Sequence, residues 1–195
     1  GITQHKHSVA TIQELVNVLL LRGNIGKLGA GACPVRGHSN VQGNRTVGIN
    51  EKPSMDFLDA LDKQYNFQSP REHGLNTVES LHAMLSGKAK VFIALGGNFA
   101  AATPDTTRTY QALQQCDLTV QISTKLNRSH VITGKKALIL PCLGRTEIDS
   151  QKSGEQCITV EDSMSMVHSS TGQNAPASTH LRSETAIVAG IAKAS

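Results

Sequence analysis

Three short segments of this 195-residue chain carry groups that could hold an anionic ligand. The first is a turn, Gly96-Gly97-Asn98-Phe99, whose glycines let the backbone approach a ligand closely. The second segment, 123–130, offers hydroxyl, amide, ammonium and imidazole groups on Ser123, Thr124, Lys125, Asn127 and His130. The third begins with Gly144-Arg145 and adds a guanidinium. Each segment alone is weak, because such a glycine turn is also a common tight turn and such a polar run is also typical of a helix start.

The elements before these segments indicate that the three segments lie together. Apolar runs at 90–95, 118–122 and 137–141 read as buried strands, and helical patterns separate them. This alternation predicts an α/β fold: a doubly wound, mostly parallel sheet with helices on both faces, of the dinucleotide-binding type. A fourth strand, at the sheet edge, is predicted at 157–160. Ligands bind beyond the carboxyl ends of parallel strands, where all three segments would meet.

Capping residues and apolar periodicity predict five helices. They are Ser8–Leu21 with Ser8 as cap, 54–66 with Ser54 as cap, 77–85 with an Asn76–Glu79 capping box, a helix opened by Thr103-Pro104, and a final helix from about His180 to Ala194.

Residues 23–50 contain seven glycines and one proline. Composition favours an ordered, glycine-shaped binding loop, and a disordered linker is the alternative. Cys33 lies in this loop, where we expect a buried thiol rather than a reactive one. We divide the chain into a helix and glycine-rich loop segment, 1–50, and an α/β domain, 51–195, which together form one domain of a larger enzyme.

Composition and charge exclude several classes of protein. No apolar run approaches the roughly 18 residues that a membrane span requires, and the start is not a signal peptide. Four cysteines without a C-x-x-C pair indicate reduced thiols in a cytoplasmic protein, with no zinc site. The net charge is +4, and basic residues outnumber acidic ones most in 1–50 and 121–152. These two stretches are either solvated surface or parts of a site for an anionic ligand. Six aromatic residues, not interleaved with basic ones, argue against a nucleic acid partner.

The chain resembles the molybdopterin oxidoreductase superfamily. The resemblance rests on GITQH at 1–5 and on TIQELVNVLLLRGNIGKLGAGACPVRGHSNVQG at 11–43, and it continues through LGGNFAAATPDT, STKLNRSH and ALILP. Within the superfamily the sequence is most similar to the formate dehydrogenase-like oxidoreductase alpha subunits, in the branch that includes an acid-resistance oxidoreductase. Such enzymes are several times longer than this chain, so the resemblance implies one domain of a larger protein.

The resemblance implies a bis-molybdopterin guanine dinucleotide cofactor with molybdenum or tungsten, and a 4Fe-4S cluster that lies in the parent outside this chain. It places Arg36 beside the metal, where its planar cation would orient a small substrate, with His38 in the same cavity. It assigns Gln4 to the pterin, Gly37 and Asn40 to the cavity, and the 96–99 and 123–130 segments to the guanosine and its phosphates. Further expected cofactor contacts are Gly144, Arg145, Asp162 and Ser163.

These expectations describe an oxidoreductase whose catalysis needs the whole parent. The ligand of the metal would lie outside this chain, and the chain alone would be inactive. Its partners would be the other domains of the parent and a small-molecule substrate. The alternative is a nucleotide-binding α/β module without catalysis, whose parent lacks the redox site.

Overall fold

The computed structural model describes residues 1–35, 37–162 and 164–194. The chain divides into two compact units, Gly1–Ser39 and Asn40–Ser195. No helix among the described residues combines the length and the apolarity that a bilayer crossing requires.

The first unit contains a 3₁₀ turn, Ile2–Gln4, and helix α1, Ser8–Leu21. The predicted bounds of α1 are confirmed, but the predicted cap is wrong, because His7 occupies the cap position. A turn in which the Ser8 amide donates to the His5 carbonyl brings Ser8 into the helix itself. The following glycine-rich stretch leaves Cys33 exposed, so the expectation of a buried thiol is also wrong.

The segment predicted to be an irregular loop contains a helix. Helix α2 spans Ser39–Thr46, and its Gly43 packs directly on the backbone of Thr159, where a Cβ would overlap the carbonyl group. The Thr46 hydroxyl also bonds the Glu161 carboxylate. Packing against a distant strand therefore stabilises a helix that local propensity does not predict.

The remaining helices are α3 (Met55–Tyr65), α4 (Thr77–Leu85), α5 (Phe99–Ala102), α6 (Thr106–Gln115) and α7 (Glu184–Ala194). The predicted caps of α3 and α4 are confirmed: Ser54 accepts from the Phe57 amide at 3.3 Å. Asn76 and Glu79 form a capping box, with bonds of 3.0 and 2.9 Å.

Two predicted helix starts are wrong. Helix α6 begins after Asp105, which accepts from the Arg108 amide at 3.0 Å, and not at Thr103-Pro104. Helix α7 begins at Glu184 and not near His180. The Ser183 hydroxyl accepts from the Ala186 amide and so caps the helix at this point. In both cases a side-chain acceptor closer to the helix sets the boundary.

The central sheet contains three parallel strands in the order β1 (Val91–Leu95), β2 (Leu118–Ser123) and β3 (Lys136–Pro141). Its register aligns Ile93 with Val120 and Val120 with Leu138. The structure thus confirms an α/β fold with a parallel sheet.

Four further short strands form two separate antiparallel pairs. They are β4 (Ser150–Gln151) with β5 (Gly154–Glu155), and β6 (Ile158–Glu161) with β7 (Val167–Ser170). The strand predicted at 157–160 exists as β6, but it does not join the parallel sheet. A tight turn in which Asp162 accepts from the amides of Met164 and Met166 pairs β6 locally with β7.

The core lies on one face of the central sheet. Phe92 of β1 packs there against buried residues of α4, α5 and α6 and against the residue that follows α6, namely Leu81, Met84, Ala100, Ala112, Leu113 and Cys116. Val91, Ile93 and Leu95 alternate onto the opposite face and remain 54%, 53% and 42% exposed. The prediction of helices on both faces is therefore not established by the described residues. On the second face, Ile187 of α7 lines a cleft together with Leu140 of β3.

Candidate functional site

Hydrogen bonds join the loops that follow β1 and β2. The Asn127 amide nitrogen donates to the Gly97 carbonyl at 2.7 Å. The buried Ser129 hydroxyl donates to Asn98 Oδ1 at 3.1 Å and accepts from the Ala100 amide at 2.9 Å. Two of the predicted segments, 96–99 and 123–130, therefore lie together at the carboxyl edge of the sheet.

The 3₁₀ turn at Arg128–Val131 explains how Asn127 is held in place. Asn127 Oδ1 accepts from the Ser129 amide at 2.9 Å, while His130 Nδ1 accepts from the Asn127 amide at 2.9 Å. In this reciprocal cap, Nε2 of His130 is buried without a hydrogen-bond partner among the described residues. Asn127 is consequently fixed by both of its neighbours and aims its Nδ2 at Gly97.

The glycine turn after β1 needs its glycines. Gly96 and Gly97 have φ angles of +69° and +72°, in the left-handed region. The space above Gly97 is open, since a Cβ there would meet no atom within 4 Å. Phe99 points inward instead, and its ring lies 4.9 Å from that of Phe92.

The third predicted segment adjoins the second. A Cβ on Gly144 would lie 3.8 Å from Thr124 Cγ2 and 3.2 Å from Glu147 Oε2. Glu147 accepts from the backbone amides of Gly144 and Ala177. These two bonds hold the pKa of the Glu147 carboxyl below its usual value, so the side chain fastens this loop as an anion.

The structure adds a fourth segment, 178–184, that sequence reasoning missed. The Leu143 amide donates to the Arg182 carbonyl at 2.9 Å, and Glu184 Oε1 lies 3.2 Å from where a Cβ on Gly96 would be. Glu184 was hidden because the predicted helix began four residues too early. The signal that could have found it is the Ser183-Glu184 pair, which is a typical helix start.

An apolar cleft of about 440 Å³ lies beside this segment. Its lining combines apolar and polar side chains, from Leu140, Pro141, Ser178, His180, Leu181, Arg182 and Ile187. The cleft lies at the carboxyl end of β3, where Leu140 and Pro141 line it. A volume in the range of about 300–1,000 Å³ is typical of small-molecule sites.

The charges at the edge are of both signs. Lys125 and Arg145 are exposed, and the Arg145 guanidinium donates to the Ser170 hydroxyl at 3.4 Å. Burial, followed by the carboxylates of Glu184 and Glu147, raises the pKa of the Cys142 thiol. Cys142 is therefore a buried, neutral thiol directly after β3.

The remaining predicted site residues belong to other segments of the chain. Gln4, Gly37 and His38 belong to the first unit and are exposed, and Gln4 Oε1 accepts from the N-terminal amine at 2.9 Å. Asn40 lies in α2, and its Oδ1 is buried without a hydrogen-bond partner among the described residues. Arg36, the predicted catalytic cation, lies outside the described residues, and its role stays a prediction.

The Asp162 carboxylate is engaged in the β6–β7 hairpin. Besides its two turn amides, it contacts His168 Nε2 at 2.7 Å, and this bond is the main cause of the lowered pKa of Asp162. Ser163 lies outside the described residues. Within the described part of the chain, no three His, Cys, Asp or Glu side chains converge as a metal site.

Comparison with known proteins points to oxidoreductases. The chain is 59% identical over 194 residues to the uncharacterized oxidoreductase Rv2900c of Mycobacterium tuberculosis, covering 100% of this chain and 25% of that protein. It is 56% identical over 194 residues to protein YdeP of Escherichia coli K12, covering 100% and 26%. A Bacillus subtilis protein, "Putative formate dehydrogenase YrhE", is 29% identical over 141 residues, covering 66% and 14%.

No family model matches the chain. The similarity to Rv2900c and YdeP runs along the whole chain, yet the chain spans only about a quarter of the length of these relatives. The chain is thus similar, from end to end, to one part of larger proteins of which several are named oxidoreductases.

Proposed function

We propose that this chain is the nucleotide-binding α/β unit of a larger, formate dehydrogenase-like oxidoreductase, and that it holds the guanine nucleotide of a molybdopterin cofactor. The observation that carries the proposal is the joining of the loops after β1 and β2 by the Asn127–Gly97 bond. Open α/β sheets bind their ligands at this edge. The name of the relative YrhE and the resemblance of the sequence motifs support the choice of cofactor.

The residues at the edge fit such a group. A backbone cradle with open space above Gly97 admits a ligand where a side chain would block it. Lys125 and Arg145 supply cations for phosphate oxygens, and the apolar cleft beside Leu140 supplies a wall for a planar ring. When bound, the cofactor supplies the metal-centred two-electron chemistry of the parent enzyme. The residues of this chain bind and orient the nucleotide end.

In this proposal the parent enzyme acts on a small substrate, and Arg36 and His38 of the first unit take part at the reacting end of the cofactor. Gln4, Gly37 and Asn40 belong to the same proposal, as do a 4Fe-4S cluster and other domains of the parent. An always-charged guanidinium suits a carboxylate or oxyanion substrate. In the parent, Arg36→Ala should lower kcat/KM while the metal content is unchanged.

The nucleotide part is tested by titration of the chain with GDP in a calorimeter. Asn127→Ala should weaken GDP binding at least tenfold, because one loop loses its attachment to the other. Asn127→Ser is the matched variant, since its hydroxyl can still cap the Ser129 amide without adding charge and is too short to donate to Gly97. Equal affinity in all three proteins, or no binding of GDP by the wild type, would contradict the proposal. Binding of GDP without any metal in the purified parent would favour the non-catalytic module.

A further inference from the structure

The carboxylate of Glu184 stands directly above the glycine turn that follows β1. Its Oε1 lies 3.2 Å from where a Cβ on Gly96 would be. Both carboxylate oxygens of Glu147, the other carboxylate near this edge, accept hydrogen bonds from backbone amides. Glu184, by contrast, is exposed, and no hydrogen bond or ion pair within the described residues engages its carboxylate. Glu184 therefore presents free acceptors to whatever enters above Gly96 and Gly97.

The same helix face borders the apolar cleft. Glu184 and Ile187 are three residues apart in α7 and share one face of the helix. Ile187 lines the cleft together with Leu140 and Pro141 of β3. A planar ring in this cleft would have apolar walls and a carboxylate at its margin.

An anion is a poor occupant of the space beside Glu184, because two negative charges would repel each other at close range. Exposed cations stand on the loops after β2 and β3, at Lys125 and Arg145, while the guanidinium of Arg182, which lines the cleft, is bonded to the carbonyls of its own segment. The charges are thus mixed on the β3 side, where Glu147 and Arg145 share one loop and Glu147 is taken up by backbone amides, whereas the unengaged charged group at the glycine turn is Glu184. This arrangement differs from that of a site in which the glycine turn itself cradles a phosphate.

We propose that Glu184 is the specificity residue of the site and accepts hydrogen bonds from paired donors of the nucleoside, while the phosphates lie toward Lys125 and Arg145. This inference rests on the proposed function and sets the direction in which the nucleotide lies. Two parts of a guanosine nucleotide carry such paired donors: the ribose hydroxyls and the N–H edge of the base. Their chemistry toward a carboxylate is the same, and nucleotide analogues separate them.

The test measures the affinity of the chain for GDP, for 2′,3′-dideoxy-GDP and for IDP, which lacks the exocyclic amine of guanine. One of the two analogues should bind to the wild type about tenfold to a hundredfold more weakly than GDP, the range of a charge-assisted hydrogen bond. In Glu184→Gln, the affinity for GDP should fall by a similar factor, and the difference in affinity between GDP and that analogue should largely disappear.

Two further variants separate recognition from helix stability, because an acidic residue in the first turn also stabilises a helix. Glu184→Asp keeps the charge at the start of α7 but shortens the side chain. It should therefore lower the affinity for GDP while leaving the thermal midpoint near that of the wild type. Glu155→Gln removes an exposed carboxylate of β5 and should change neither quantity.

The results separate this inference from the function on which it rests. If the wild type binds GDP but treats all three nucleotides alike, and Glu184→Gln does the same, the role of Glu184 is overturned and the nucleotide site stands. If the wild type binds none of them, the proposed function falls and takes the inference with it.

Discussion

The side-chain amide of Asn127 donates a hydrogen bond to the carbonyl oxygen of Gly97 over 2.7 Å, and so joins the ends of two neighbouring parallel strands. His130 and Ser129 hold Asn127 in the required orientation through its own backbone amide and its Oδ1. The glycine turn after β1 is thereby fixed against the loop after β2, and the two loops together form the candidate site.

Asn127→Ala should destabilise this edge as well as weaken nucleotide binding. It removes the acceptor of the Ser129 amide and the donor to Gly97, and a lost cap of this kind costs about 1 kcal/mol of unfolding free energy. Asn127→Ser should recover most of that loss and little of the GDP affinity. Urea denaturation measures the first quantity and calorimetry the second. Full GDP affinity in Asn127→Ser would show that the bond to Gly97 does not shape the site.

Gly43→Ala should destabilise the second unit, although alanine is the better helix former. The added Cβ would overlap the Thr159 carbonyl, and forced overlap in a packed contact costs about 1–3 kcal/mol. Gly190→Ala in α7 is the matched control, because a Cβ there meets nothing within 4 Å, and it should stabilise by about 0.5–1 kcal/mol. Equal effects of the two substitutions in urea denaturation would contradict the packing of α2 on β6.

Glu147→Gln should lower stability at neutral pH, and the deficit should shrink in acid. The pKa of Glu147 is lowered in the folded protein, so its stabilisation is complete above the usual glutamate value of 4.5 and is lost as the pH falls through the folded value. A glutamine cannot accept from both the Gly144 and Ala177 amides. Urea denaturation from pH 7 down to about pH 3 measures the deficit. A deficit that does not change with pH would contradict this account, and Glu155→Gln serves as the control.

Alkylation should divide the four free cysteines into two pairs. Cys33 and Cys157 are exposed, and Cys116 and Cys142 are 0% and 4% exposed. Burial also raises the pKa of both buried thiols, which lowers the thiolate fraction that reacts. Iodoacetamide should therefore label the first pair in the native protein and the second only after denaturation, as read by peptide mass spectrometry. Rapid native labelling of Cys142 would contradict the placement of the 142–144 loop.

The parallel sheet could be predicted because its signals are local. Strands β1, β2 and β3 are short apolar runs, and their alternation with helices admits few topologies. Helix α2 could not be predicted, because Gly43 and Thr46 are stabilised by β6, more than a hundred residues away. The antiparallel pairing of β6 was missed for a related reason: the turn at Asp162 decides its partner.

The candidate site was predictable in outline and not in its detail. The loops after the three strands carry visible glycine and polar signals, and topology alone brings them to one edge. Glu184 carries only the signal of a helix start, in the Ser183-Glu184 pair, and such a start is ordinary and does not by itself indicate a ligand site. Only the fold shows that this helix start lies above Gly96.

The measurement that tests the central claim most directly is a cofactor analysis of the longer parent protein, purified without air. Molybdenum and tungsten are measured by mass spectrometry, and the guanine nucleotide released by acid hydrolysis is quantified in the same sample. The account predicts two guanine nucleotides for each metal ion, and a clear loss of guanine nucleotide in Asn127→Ala. A folded parent that contains neither guanine nucleotide nor either metal would contradict it.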